Sequence, residues 1–384
     1  KSTKRRRQRG SRYLSQYLKL CEDQRVVPYA RIFEVLESGM SELSLSHFLI
    51  GDRNIRPLLD CLKSNDDIKR VDLSNNALTG GSCEAIASFL ESSHSVEFLN
   101  LSHNKIGTNA SLILSSMERN QFSLIQSLQL AKIELSSESC KSLSNYLASN
   151  PVLKTLHLQE NNLCDKDVSI LLEGLRKNDQ LKTIDLSWNR CNIESAQSLR
   201  HCTSLESVSI KYNNLGNLGA CVLAEMILKS SQLVELNLIQ NGIESEGALM
   251  LAEAIRLRQS PLKISLDMSS NPLGLLGAHA LFSCTDFMEK LTLRNIEASQ
   301  EEEEGDDDDE EEEDCDDIEY DSKNLNNHYD LNLKNPKHHL IFEFLRFRHV
   351  SSLGKCFHVM LNRGPCRVFR TGRMERRVPK SRIR

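Results

Sequence analysis

Twelve cysteines, eleven histidines and a dense block of carboxylates are the residues of this chain whose types could do chemistry. Their spacing excludes most of it. The cysteines form no Cys-x-x-Cys pair and no metal-ligand pattern. Cys61, Cys83, Cys140 and Cys221 fall where a helix packs a small apolar residue, so they read as buried hydrophobes. His103 and His157 stand on strand-like stretches with no second ligand at a useful distance in sequence. There is no GxGxxG, Walker-type loop, GxSxG or HExxH. Gly80-Gly81 precedes a helix, as in a phosphate loop, but glycine recurs at this point of the chain for another reason given below. No enzyme, cofactor, metal site or small-molecule substrate is expected.

The carboxylates are concentrated in residues 301–317, almost all Glu or Asp. So many like charges must stay hydrated, which reads as an acidic, disordered linker over 296–336. Contact with basic partners, or with the basic ends of the same chain, is the other reading. The run lacks the alternating oxygen spacing of a calcium loop. The formal net charge of −5 hides segregation, because residues 1–12 and the tail 337–384 are both basic. The first reads as a solvated arm or a polyanion patch. It has little aromatic interleaving, so nucleic-acid binding is not expected. After Lys355 the tail is rich in Arg, Gly and Pro, and it is either a basic tail or a misread exon or frame.

Between these ends one phrase repeats: IKRVDLSNNALTGG from Ile68, then LNLSHNKI, LHLQENNL, IDLSWNRC, VSIKYNNL, LNLIQNGI and LDMSSNPL. Leu45, Leu73, Leu101, Leu130, Leu158 and Leu186 stand 28 or 29 apart, and Ile210, Leu238, Met268 and Leu293 continue the series. Val71 and Leu73 alternate with Arg70, Asp72 and Ser74, so each copy opens with a short strand of one apolar face. An Asn follows where the chain turns: Asn76, Asn104, Asn161, Asn189, Asn213, Asn241 and Asn271. Stacked copies would align these side chains into a hydrogen-bonding ladder. Phe48 and Ile133 occupy two of the positions and should interrupt it. A helix follows, with stripes such as Ala85, Ile86, Phe89 and Leu90, and Gly80-Gly81, Gly216, Gly219, Gly247 and Gly277 mark the turn into it. The unit from Leu181 to Ser204 is short, and its helix should be clipped. One unit cannot bury its own apolar face, so neighbours must stack.

These units resemble the ribonuclease-inhibitor-like subfamily of leucine-rich repeats over residues 40–295. The resemblance implies an α/β solenoid, or horseshoe, with parallel strands on the concave face and helices on the convex face. Residues 1–39 precede it as a basic arm and a helical cap broken near Pro28. Tyr17 to Glu22 followed by Val26 to Pro28 resembles leucine-rich repeat-containing protein 74 and its relatives, which implies a binding or scaffold role without catalysis. The order of repeats and then acid also resembles the GTPase-activating protein for Ran, an alternative that would make the chain a GTPase regulator. The segment from Tyr13 to Glu37 departs from that family.

The concave positions are mostly small or polar. Trp188 and Tyr212 break the pattern on adjacent repeats, with Lys211, Asp185, His157 and Gln159 around them. Aromatic residues near charge are typical protein-interface anchors. The competing reading is that Trp188 fills the space left by the clipped helix. A protein partner and a monomeric chain are expected. No run of 18 apolar residues is present, so no membrane span is expected. The chain opens on Lys1 rather than Met and so reads as starting inside a longer product, with a removed leader disfavoured. A cytoplasmic location is the default, with nucleus and cilium left open.

Overall fold

A computed structural model describes residues 2–37, 41–296 and 318–321, with the backbone alone at 2–11 and 318–321. The first of the chain's two compact units, Lys1–Asn324, holds all of them. The basic tail expected over 337–384, and most of the acidic stretch over 296–336, lie outside the described residues.

Ten short strands run parallel and pair strictly with their sequence neighbours: β1 (Glu42–Ser44), β2 (Arg70–Asp72), β3 (Phe98–Asn100), β4 (Ser127–Gln129), β5 (Thr155–His157), β6 (Thr183–Asp185), β7 (Ser207–Ser209), β8 (Glu235–Asn237), β9 (Ile264–Asp267) and β10 (Met288–Leu293). After a helical cap, α1 (Ser2–Asp23) and α2 (Phe33–Glu37), one helix returns from each strand to the next. These are α3 (Gly51–Leu62), α4 (Cys83–Ser92), α5 (Ala110–Arg119), α6 (Ser137–Ser149), α7 (Asp165–Leu175), α8 (Ile193–Leu199), α9 (Gly216–Lys229), α10 (Ser245–Leu257) and α11 (Gly274–Phe282). Paired strands sit about 4.8 Å apart, whereas packed helices need about 8–10 Å. A ribbon with strands on one side and helices on the other must therefore bend with the sheet inside. The fold is a leucine-rich repeat solenoid of α/β class.

The core runs between the two layers. Val71, Leu73, Leu99, Leu128, Leu156, Leu158, Ile184 and Leu186 from the strands are at most 1% exposed. Ile86, Leu172 and Leu175 close on them from the helices. The 24-residue step between Leu186 and Ile210 is absorbed by α8, only seven residues long.

Three features differ from the sequence reading. The basic arm is continuous with the cap, since α1 starts at Ser2. Lys, Arg and Gln are good helix formers, and nothing in residues 2–12 except Gly10 opposes the helix. Tyr17 and Cys21 of α1 are fully buried, and the Tyr17 hydroxyl accepts the Tyr29 N–H at 3.0 Å.

The stretch read as an acidic, disordered linker also contributes a strand, β11 (Ile318–Asp321), antiparallel to β10. It sets Ile318 opposite Leu293 and Tyr320 opposite Leu291. The alternation Ile-Glu-Tyr-Asp has the period of a strand, and the pairing covers an otherwise open sheet edge.

Of the cysteines read as buried, Cys61, Cys83 and Cys140 are buried, whereas Cys221 is only half-buried. No helix among the described residues is long and apolar enough to cross a membrane.

Candidate functional site

The turn that ends each strand positions the concave side chains. One residue before each ladder position the backbone is left-handed: Asn75, His103, Lys132, Glu160, Trp188, Tyr212, Gln240 and Ser270 all have φ between 49° and 57°. This twist turns the next residue inward. The side-chain oxygen of Asn104 accepts the N–H groups of Asn76 (3.0 Å) and Leu78 (3.1 Å). That of Asn189 serves Asn161 (3.1 Å) and Leu163 (2.9 Å), and that of Asn271 serves Asn241 (2.9 Å) and Ile243 (3.1 Å). Asn213 is half-buried and accepts the Cys191 N–H at 2.9 Å. Each amide nitrogen meanwhile donates to carbonyls of its own and the preceding strand, as Asn161 does to Leu130 and Leu158.

The ladder is incomplete in two places. Ile133 has no side-chain acceptor to offer and is buried, its backbone carbonyl alone accepting the Gly107 N–H. Asn241 keeps its side-chain oxygen buried without a partner, while its backbone carbonyl accepts the Gly216 N–H. At Phe48 the cap substitutes: the Tyr29 hydroxyl donates to the Phe48 carbonyl.

A second polar series lies at the opposite edge, where helices run into strands. Asn120 donates to the Leu90 and Ser93 carbonyls, and Asn178 to those of Leu147 and Asn150. Asn150 and Asn178 each accept two N–H groups that open the following strand segment. Ser230 does the same for Gln232 and Leu233. The signal in the sequence was Asn two or three residues before an apolar position, in NPVL and NDQL.

At the centre of the sheet the six proposed residues come together. The register places His157 beside Asp185 and Asp185 beside Ser209. The Gln159 amide nitrogen donates to Asp185 Oδ2 at 2.7 Å and lies 3.0 Å from His157 Nδ1. As the amide nitrogen is a donor, His157 Nδ1 is the accepting partner in this contact. Asp185 Oδ1 accepts the Ser187 N–H at 2.9 Å. Ser187 Oγ meets Ser209 Oγ at 2.8 Å and accepts the Lys211 N–H at 3.2 Å. The chain then turns at Trp188 and Tyr212, whose rings stack with centroids 3.8 Å apart and planes 12° from parallel. Trp188 is 54% exposed. It is thus half open to solvent, with one ring face against Tyr212. One repeat earlier, Lys132 and Glu160 pair at 2.9 Å.

No group of three metal-ligating residues comes together among the described residues. The arrangement offers a polar floor, a rigid aromatic shelf and one cation, and such a surface can bind.

The family described as Leucine Rich repeat matches residues 92–109, 201–224 and 229–252. The chain has the leucine-rich repeat fold, and these stretches are similar to that family. Over 207 residues it is 34% identical to "NACHT, LRR and PYD domains-containing protein 3" of Bos taurus, which covers 51% of this chain and 20% of that protein. Mouse ribonuclease inhibitor is 29% identical over 259 residues, 65% of this chain and 56% of the inhibitor. The chain thus spans about a fifth of the first relative and just over half of the second. Over its repeats the chain is similar to ribonuclease inhibitor. The solved leucine-rich repeat-containing protein LegL7 from Legionella pneumophila aligns at 17% identity with a TM-score of 0.44, covering 66% of this chain and 82% of that one.

Proposed function

We propose that this chain is a non-enzymatic scaffold that holds a protein partner against its concave sheet, centred on Trp188, Tyr212 and Lys211. The observation that carries the reading is the stacked, half-exposed Trp188 on Tyr212. Both bulky rings stand at left-handed backbone positions, where an aromatic residue costs about 1–3 kcal/mol. Other repeats fill that position with Asn, His, Lys, Glu, Gln or Ser, so the aromatics are not what the turn itself demands. Aromatic anchors supply most of the affinity in such interfaces. Asp185, His157 and Gln159 form the polar floor beside them.

The pre-repeat segment from Tyr17 to Pro28 supports kinship with leucine-rich repeat-containing protein 74 and its relatives. The order of repeats and then an acidic segment is what favours the Ran-activator alternative.

The test is affinity capture from native tissue with wild type and with Trp188→Ala combined with Lys211→Glu. The partner should be lost from the variant while its melting curve is unchanged. Retained capture would sink the reading. Stimulated GTP hydrolysis by Ran would replace it with the activator reading.

A further inference from the structure

We propose that the partner presents a single carboxylate, an Asp or Glu side chain with an apolar or aromatic neighbour, to the Lys211 ammonium beside the Trp188 shelf. This rests on the concave-face reading and names the chemistry that the surface selects.

Of the charges facing the shelf, the two carboxylates are already engaged and the Lys211 ammonium is not. Asp185 holds the Gln159 amide and the Ser187 N–H. Glu160 is paired with Lys132. The Lys211 side chain has no hydrogen bond or ion pair among the described residues, although its backbone is fixed by bonds to Ser187 and Trp188. It is half-buried, so its charge lies near low-dielectric protein, where a partnering anion gains more than in open water. Tyr212 follows it directly, and Trp188 lies flat on Tyr212. A carboxylate on Lys211 would thus bring the residue next to it over the exposed indole, where an apolar or aromatic group buries area at low entropic cost.

The same surface disfavours a polyanion. Stacked aromatics beside a lysine could also suit single-stranded nucleic acid. Asp185 stands one repeat from Lys211, and Glu160, one repeat from Trp188, is neutralised by Lys132, so a chain of phosphates would meet a carboxylate and a neutral pair beside the Lys211 cation. One carboxylate fits and a string of phosphates does not.

The chain contains a single tryptophan, so its fluorescence reports this site alone. The full chain is titrated with a capped Gly-Phe-Glu-Gly peptide, its Gln and Lys counterparts, and an oligothymidylate. The Glu peptide should quench Trp188 emission at roughly tenfold lower concentration than the Gln peptide, the scale of one charge-assisted contact. Lys211→Met should erase that difference, and Lys211→Arg should keep it. Equal response to Glu and Gln peptides, no response to any peptide, or a stronger response to oligothymidylate overturns the proposal. Should partner capture fail with Trp188→Ala but survive Lys211→Met, the carboxylate falls while the concave reading stands. Capture indifferent to both variants removes both.

Discussion

The side-chain oxygen of Asn161 accepts the Ile133 N–H at 3.0 Å, yet Ile133 has no side-chain acceptor to pass the same service on to Asn104. The ladder therefore ends in one direction at Ile133 and resumes at Asn104. Asn161 also accepts the Leu135 N–H and donates to the carbonyls of Leu130, Leu158 and Gln159. Removing its amide leaves several buried backbone groups without partners, each worth about 1–3 kcal/mol. Asn161→Ala should lower the unfolding free energy by more than about 2 kcal/mol, read from urea midpoints at constant m value. Asn213 is half-buried and solvent can replace part of its bonding, so Asn213→Ala should cost less. Equal losses at the two positions would contradict the ladder as a buried structural element.

Trp188 and Tyr212 give the opposite expectation. The left-handed backbone there suits Gly, so Trp188→Gly relieves about 1–2 kcal/mol of strain and forfeits a stacked pair worth about 0.5–1.5 kcal/mol. The two effects nearly cancel. The thermal midpoint of Trp188→Gly should stay within about 4–8 °C of wild type, the span of roughly 1 kcal/mol in a smaller domain, while partner capture disappears. A collapse in stability would instead make Trp188 a structural residue.

The legibility of the chain follows the same division. Strand columns and the turn Asn residues recur every 28 or so positions with one residue type, so repetition exposed them. The six concave residues were placed by the same columns, but their mutual bonds were not legible, because Gln159 bridging His157 and Asp185 depends on side-chain torsions. Asn120, Asn150 and Asn178 escaped because that edge mixes Asn with Ser93 and Ser230 and shifts its spacing. Strand β11 was hidden by the charge around it: a block of Glu and Asp outweighed four alternating residues. The path of Trp188, toward Tyr212, was set by the left-handed turn, which no residue type announced.

Burial gives the cysteines a pH signature. Cys61, Cys140, Cys191, Cys202 and Cys284 are pushed from 9.0 to about 12 by loss of water around the thiol. Cys83 rises to about 11 and the Tyr146 phenol to about 12 for the same reason. A folded-state value above the unfolded one means that folding favours the protonated thiol. That contribution is complete below about pH 9 and is lost as pH climbs toward 12. Urea midpoints should be lower at pH 10.5 than at pH 8, and Cys140→Ala should flatten part of the slope. A midpoint that does not fall over this window would show the thiols to be solvated. In parallel, maleimide at pH 8 should label the exposed Cys164 and spare Cys140 and Cys191 until denaturant is added.

The tightest helix contact in the array is made by a residue without a side chain. Gly174 of α7 lies against the backbone of Ser144 in α6, and a Cβ built at Gly174 would run into the Ser144 carbonyl. The Gly174 N–H also donates to Ser144 Oγ at 2.9 Å. Flexible side chains can yield to an added methyl group, but a neighbouring helix backbone cannot without moving its whole repeat. Gly174→Ala should therefore cost about 2–3 kcal/mol or more, the upper range for overpacking. Gly81→Ala is the comparison, since the nearest atoms to its Cβ are those of the Asp52 side chain, whose shift gives up its bonds from Thr79 but moves no backbone. The two variants compared by thermal melt should differ clearly, with Gly174→Ala the lower. If they melt together, α6 and α7 are not packed as closely as described, and the wall beneath His157 and Gln159 would have room to shift.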